Sequence, residues 1–259
     1  MNSDEVIQDI IKNRGFILAV SGLDDERTTL KIVGYLGEIR GKKTKVISLI
    51  GGAASGKSTL ARRVVNTLKS AGIIGTDDFL LGSREYRRRY LEGGDPLKKY
   101  GFDLLREKVN RIRNLRPGES ESVPVYDEED GTAIKIIDFD PETGQILSVD
   151  KNHYHRRVGK VEYLIVEGDF QLLANPDYQI FFHVPDDVRL RNRINRDVRQ
   201  RGVVSMTETV DSFALRQRLQ HRPYTLACAG NADLLITVKA IEMDAGYKYE
   251  YSFWVPVVE

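Results

Sequence analysis

An α/β protein built on a doubly wound, mostly parallel sheet is expected from three observations. Apolar runs of strand length alternate with amphipathic helical stretches along the 259 residues. One run, 46–50, leads straight into a loop spaced G-x-x-x-x-G-K-[ST], with Gly51, Gly56, Lys57 and Ser58 at the fixed positions and a helix behind it. Two later apolar segments end in carboxylates, Asp77 and Glu167. In such sheets ligands sit beyond the carboxyl ends of the strands, so three separate segments converge on one place.

The elements follow in order. Helical periodicity at 5–12 and a strand at 16–20 open the chain, and a helix at 24–39 carries Leu30, Val33 and Leu36 on one face, with Gly41 beyond its end. Residues 1–44 thus form an N-terminal βα extension ahead of a core at 45–240. Laid over the glycine loop at an offset of 30, Ser21 to Leu30 echoes Gly51 to Leu60, but Glu26 and Arg27 replace the second glycine and the lysine. A phosphate there would meet the carboxylates of Asp24, Asp25 and Glu26. The core continues with a helix at 59–70 and a short buried strand at 72–77. Residues 82–101, rich in Arg, Tyr, Gly and Asp, read as a mobile polar segment. An amphipathic helix at 102–115 stops near Pro117 and Gly118. Residues 119–160 are polar and turn-rich, with a short strand at 133–138. Strands at 161–167 and 178–184 precede an arginine-dense helix at 186–200 and a further helix at 205–222, closed by Pro223. A strand at 234–238 ends the core, and 241–259 is a C-terminal β segment containing Trp254.

Composition narrows the function. The chain is 41% hydrophobic and 30% charged with a net charge of +1, which suits a globular protein and implies no bulk attraction to nucleic acid or to a membrane. No apolar run reaches membrane-spanning length, and the N-terminus lacks a signal-peptide core. Cys228 is the sole cysteine, so no disulfide framework or cysteine metal site is expected. A cytoplasmic protein is the expectation, where ATP is plentiful.

The glycine loop carries the chemistry. Its backbone N–H groups turn inward and it opens a helix at the positive end, both of which favour a bound polyphosphate. Gly51, Gly52, Ala53, Ala54, Ser55, Gly56, Lys57, Ser58 and Thr59 are the candidate nucleotide cradle, with Lys57 reaching the outer phosphates and the Ser58 hydroxyl taking a Mg²⁺ position. Asp77 is placed to accept a substrate hydroxyl proton or to help hold Mg²⁺; the alternative is a helix cap. Glu167 ends an apolar run where a charge needs a partner or a metal, so it is read as a metal-side carboxylate. Arg193 and Arg196 share a face of the arginine helix, which could close over the phosphates as a lid at 186–202. Lys57, Asp77 and Arg196 are the candidate catalytic groups.

The order of these motifs resembles the uridine kinase, pantothenate kinase and phosphoribulokinase group of P-loop kinases, most closely the uridine kinases. The landmarks are GGAASGKST at 51–59, TDDF at 76–79, GFDLL at 101–105, PVYD at 124–127, IVEG at 165–168, RLRNRINRDVRQRG at 189–202 and NADLLITV at 231–238. The resemblance implies a fold of the P-loop nucleoside-triphosphate-binding type, ATP and Mg²⁺, and transfer of a γ-phosphoryl group to a hydroxyl of a small-molecule acceptor. It makes Asp77 the catalytic carboxylate and Glu167 the Mg²⁺-linked one. It places Asp103 and Tyr126 in the acceptor pocket, Arg193 on the substrate side of the lid, and Arg196 and Arg201 on its phosphate side. Kinases of this group are often dimers or tetramers, so a homo-oligomer is admitted.

The departures bear on the acceptor. Asp78 stands where the family usually has Ser or Gly, Leu80 and Leu81 follow where uridine kinases carry an aromatic residue, Glu128 to Gly131 replace a histidine, and Val203 replaces an arginine. Pantothenate-like, sugar and sugar-phosphate acceptors therefore stand beside a nucleoside-like one. The run Arg84 to Arg89, with Arg84 at its head, is a candidate contact for an anionic acceptor; the alternative is a solvent-facing basic stretch. His153 and His155 alternate without acidic companions, which favours surface or acceptor-pocket roles over a metal. A regulatory GTPase would carry N-K-x-D and D-x-x-G signatures, and neither occurs. A nucleotide-binding regulatory protein on a kinase fold is the rival from another class.

Overall fold

Residues 2–39, 41, 43–93, 95–127, 132–134, 136–139, 146–150, 154–170, 175–200, 205–244 and 246–257 are described by the computed structural model. The chain opens with α1 (Ser3–Asn13), β1 (Phe16–Leu23) and α2 (Asp25–Glu38). The core begins with β2 (Lys45–Gly51), α3 (Lys57–Thr67), β3 (Ala71–Gly75) and a 3₁₀ turn (Thr76–Phe79). Helix α4 (Arg84–Glu92), a second 3₁₀ turn (Pro96–Lys99) and α5 (Phe102–Arg113) follow. Strands β4 (Ser120–Pro124), β5 (Ile136–Phe139), β6 (Ile146–Val149) and β7 (His155–Gly159) form two small antiparallel pairs, β4 with β7 and β5 with β6. The chain returns through β8 (Tyr163–Gly168), β9 (Tyr178–His183), α6 (Asp186–Ile194), α7 (Met206–Arg216), β10 (Leu234–Met243) and β11 (Gly246–Pro256).

Seven strands make the main sheet in the order β1-β11-β10-β9-β2-β8-β3. The five core strands run parallel, and β11 and β1 join antiparallel at one edge. The N-terminal extension and the C-terminal segment therefore belong to the same sheet as the core. Strand β2 is buried over its whole length, as a central parallel strand must be. Its side chains alternate between faces. Ile47 and Leu49 join the layer formed with α2 and α3, whereas Val46 packs with the α5 layer and Ile50 with α1. Helix α1 is fixed by a capping box between Asn2 and Glu5 and by the contact of Asp4 Oδ1 with His183 Nε2 at 2.7 Å. No helix among the described residues is long and apolar enough to cross a membrane.

Three local expectations change. Residues 84–92 are a helix rather than an irregular polar stretch, capped by Ser83, which accepts from the Tyr86 N–H. Its inward face carries Arg87 beside Leu91, so an arginine hides the apolar period that normally betrays a helix. The arginine helix is α-helical only to Ile194 and continues as a π-helix over Asn195–Gln200. Helix α7 likewise passes into a π-helix over Gln217–Thr225, with Pro223 inside it rather than at its end. Such wide turns recur at functional sites.

Strand β8 meets the turn after β3 with no room for a side chain. A Cβ at Gly168 would overlap the Thr76 side chain. Gly168→Ala is expected to destabilise the fold by about 1–3 kcal/mol, read as a lowered urea midpoint at unchanged m-value.

Candidate active site

Sheet order explains the convergence of motifs. Strand β8 lies between β2 and β3, with Glu167 level with Leu49 on one side and Gly75 on the other. The glycine loop leaves the end of β2, Asp77 leaves the end of β3, and Glu167 and Asp169 stand between them. In the loop Ala54 takes a φ of 61° and Gly56 a φ of 85°, which curls the backbone before α3 starts at Lys57. Ser55 is buried and its Oγ has no hydrogen-bond partner among the described residues. A curled loop with an orphaned hydroxyl at a helix N-terminus fits a phosphate chain.

Lys57 Nζ pairs with Asp169 Oδ1 at 2.9 Å and reaches Gly52 O at 3.4 Å. Burial opposes its charge, but Asp169, Glu167 and Asp77 together hold the ammonium above lysine's ordinary value. Ser58 Oγ donates to Glu167 Oε1 at 2.9 Å. Burial dominates at Glu167 and raises its carboxyl despite Lys57. Burial pushes Asp169 the same way, but there Lys57 prevails and the carboxyl is held low. Asp77 is open to solvent yet sits deep among protein atoms, and burial followed by the charge of Asp169 raises its carboxyl. Asp169 also accepts from Gln220 Nε2 at 2.8 Å, and Gln220 Oε1 accepts from Lys99 Nζ at 2.6 Å. Among the described residues no group of three or more His, Cys, Asp or Glu side chains forms a metal cage. One hydroxyl and one or two carboxylates beside a phosphate cradle is the donor set that suits Mg²⁺, which keeps waters and phosphate oxygens as its other ligands.

Helix α6 docks on the loop. Arg189 Nη1 donates to Ala53 O at 3.4 Å and Asn192 Nδ2 to Ala54 O at 3.3 Å, while Arg189 Nη2 pairs with Asp186 at 2.6 Å. The backbone of Gly52 lies so close to Arg189 and His221 that a Cβ would collide with both. Between α6, α7 and the loop lies a cavity lined by Ala53, Asp169, Arg193, Phe213, Arg216 and His221. Arg193 Nη1, Arg216 Nε and both ring nitrogens of His221 have no hydrogen-bond partner among the described residues. Burial, with Arg189, pushes His221 down to about 3, so its ring is neutral at any working pH.

The candidate residues divide. Gly51 to Thr59, Asp77 and Glu167 come together at the strand ends. Arg193 faces the cavity, with Nη2 on Ser212 Oγ at 2.9 Å and Nε on Asp197 at 3.3 Å. Arg196 is half-exposed and paired to the same Asp197 at 2.6 Å. Tyr126 is half-buried, and its N–H donates to Asp78 Oδ1 at 3.0 Å. Asp78 also accepts from Gly75 N and from Arg156 Nη2, so it ties the turn after β3 to β7. Asp103 points to solvent and pairs with Arg106 at 3.1 Å, away from the acceptor pocket expected for it, because the inward face of α5 is taken by Leu105, Val109 and Ile112. Arg84 is exposed at the first position of α4, and Arg87, one turn on, is the buried arginine of that helix. His155 is exposed at the start of β7. Arg201, His153, Gly202, Val203 and Glu128 to Gly131 lie outside the described residues.

Asp169, Lys99, Arg216, Gln220 and His221 were not singled out from the sequence, and Arg87 was named only as one member of the run Arg84 to Arg89. Asp169 had a local signal, two residues after Glu167 in the same run. The others come from segments that read as polar surface or as the tail of a helix, and only folding brings them here.

Comparison with known proteins agrees with this fold. The model of the phosphoribulokinase/uridine kinase family matches residues 46–242. The chain is 25% identical over 204 residues to a uridine kinase of Staphylococcus epidermidis, covering 75% of this chain and 87% of that one. Among solved structures, the YGR205w protein matches with a TM-score of 0.56 at 15% identity, covering 90% of this chain and 97% of the other. D-glycerate 3-kinase from Cryptococcus neoformans var. grubii matches with a TM-score of 0.55 at 12% identity, covering 83% and 94%. At such identities these structures show a shared fold. With three-quarters of its length under one family model, the chain belongs to the phosphoribulokinase/uridine kinase family of P-loop kinases.

Proposed function

We propose that the protein is an ATP-dependent kinase that moves the γ-phosphoryl group to a hydroxyl of a small-molecule acceptor. The observation that carries this is the junction at the strand ends: Lys57 and Ser58 at the start of α3 meet Asp169 and Glu167 after β8, with Asp77 beside them. The loop amides and Lys57 bind the phosphate chain and neutralise charge on the transferring group. Ser58 and Glu167 would hold Mg²⁺, which when bound offsets the charge on the phosphate oxygens. Asp77 orients the acceptor hydroxyl and takes its proton as the new P–O bond forms. Its raised affinity for a proton makes it a better acceptor than an ordinary aspartate. Arg193 lines the cavity beside the loop, and its Nη1 has no hydrogen-bond partner among the described residues.

A uridine kinase-like activity on a nucleoside-like acceptor rests on the lid sequence and on the uridine kinase relatives. Pantothenate-like and sugar or sugar-phosphate acceptors rest on the departures after Asp77, where Leu80 is used for packing and bridges to Tyr100. The test is an ADP-release screen against pooled nucleosides, pantothenate, sugars and sugar phosphates. A hit about tenfold above the no-acceptor rate supports the kinase reading. Nucleotide binding with no turnover of any pool supports a regulatory protein instead. Glu167→Gln is expected to raise the Mg²⁺ concentration for half-maximal activity by about tenfold or more. An unchanged Mg²⁺ requirement would remove Glu167 from the metal site.

A further inference from the structure

The turn that carries Asp77 is held by the residue next to it. Thr76–Phe79 is one 3₁₀ turn, and at three residues per turn its side chains point in three directions. Thr76, Asp78 and Phe79 are buried, and Asp77 alone is turned to the open side. Phe79 is sealed in the apolar layer with Leu80 and Val166, and Thr76 fills the space over Gly168. Asp78 is the odd member, a carboxylate in a place where a charge is costly unless donors meet it.

Three donors meet it. Asp78 Oδ2 accepts from the Gly75 N–H at 3.0 Å and from Arg156 Nη2 at 2.9 Å, and Oδ1 accepts from the Tyr126 N–H at 3.0 Å. The same Arg156 nitrogen donates to Ile73 O at 2.8 Å. One side chain thus joins the end of β3, the residue two beyond β4 and the second residue of β7. Strands β4 and β7 pair with each other, and no ladder among the described residues links them to the main sheet. Asp78 and Arg156 supply a polar tie in its place. Both oxygens of Asp78 are taken by donors, so it is set to hold the turn and not to meet Mg²⁺ or a hydroxyl. A Ser or Gly at this position could not join all three donors.

We propose that Asp78 is the positioning residue for the transfer: with Arg156 it fixes the Asp77 carboxyl relative to the acceptor side at Tyr126, and so sets kcat without touching nucleotide, metal or acceptor. The assignment rests on the kinase reading and gives its base a support. A base and the hydroxyl it serves must lie within hydrogen-bond reach, and a displacement of about 1 Å can cost about a hundredfold in rate. Asp78→Asn keeps the shape but turns one acceptor oxygen into an NH₂ group. Whichever way the amide lies, that group faces a donor, either the Tyr126 N–H or the Gly75 N–H with Arg156, and the tie opens on that side.

The test is ADP release with whichever of uridine, pantothenate, ribose or ribose 5-phosphate the wild type turns over fastest. Asp78→Asn is expected to lower kcat by about tenfold to a hundredfold. KM for ATP, affinity for a fluorescent ADP analogue and the Mg²⁺ concentration for half-maximal activity should each stay within about twofold. Arg156→Met, at a half-exposed site, removes one donor of the three and should lower kcat by about threefold to tenfold, so it carries the test if Asp78→Asn does not fold. Arg156→Lys should restore part of that loss, since an ammonium can still reach Asp78. The double variant decides between positioning and plain structural support. Because Asp78 acts through Asp77, adding Asp78→Asn to Asp77→Asn should lower kcat by less than about twofold further. The same cost in both backgrounds would overturn the positioning role. So would a wild-type kcat in Asp78→Asn, or a kcat loss matched by lost nucleotide affinity or a raised Mg²⁺ requirement. A wild type that binds the analogue but turns over no nucleoside, pantothenate, sugar or sugar phosphate would instead overturn the kinase reading.

Discussion

Lys57→Ala is expected to cut turnover by roughly a hundred- to a thousandfold, the usual result of removing one charged group from a transferring phosphoryl site. The ammonium is fixed at the junction of the glycine loop and Asp169, 2.9 Å from that carboxylate. A bound phosphate chain would compete for it, and no other side chain replaces it at the start of α3. The fold should survive. Asp169 keeps its hydrogen bond from Gln220 and the cation Lys99 nearby, so the charge left behind is not stranded. The checks are ADP release with the best acceptor, binding of a fluorescent ADP analogue, and a cooperative thermal transition within about 5 °C of wild type. Full turnover in this variant would remove the glycine loop from the mechanism.

Asp77→Asn is expected to lower kcat by about a hundred- to ten-thousandfold with little change in nucleotide affinity. The amide keeps the shape and can still meet a hydroxyl, but it cannot take a proton. The pH profile gives a second readout. Asp77 must be ionised to act, and burial with Asp169 raises its pKa above the ordinary 3.8. In the wild type, kcat/KM should therefore fall as pH drops through that raised value, and the variant should lose this acid limb. The stability sign runs the other way. A carboxyl whose folded pKa lies above its unfolded value binds more protons in the folded state between the two, so ionising it at neutral pH costs stability. Asp77→Asn should thus melt no lower than wild type at pH 7. A drop in both stability and nucleotide affinity would mark Asp77 as a structural or metal-side group.

Much of the sheet was legible because its signals are local. Strand β2 reads as a near-continuous apolar run, interrupted by Ser48, since both its faces are covered, and β8 and β9 are similar. The edge strand β1 alternates poorly, and its full length, Phe16–Leu23, emerges only from pairing with β11. Strand β10 was expected to stop at 238 but runs to Met243, because β11 returns along it. Helix α4 was missed for an electrostatic reason. Its inward position is Arg87, and a buried arginine looks like a solvated one until the partners Gly82 and Tyr126 are known. Asp103 failed in the opposite direction. It matched a motif position, but α5 turns Leu105, Val109 and Ile112 inward and leaves Asp103 in water.

What the sequence determined by itself was the phosphate end of the site. Gly51 to Thr59 are contiguous, and their spacing already dictates the loop curl, the placement of Lys57 and the hydroxyl of Ser58. Asp77 and Glu167 were legible for a related reason: a charge closing an apolar strand marks the end of that strand. The tertiary structure alone decided which distant side chains meet them. It set Asp169 on Lys57, stacked Arg189 and His221 on Gly52, and hung Gln220 between Asp169 and Lys99. Side chains separated by more than a hundred residues meet only through packing, and burial, which converts an ordinary cation into a costly one, is a property of the folded surroundings and not of the residue.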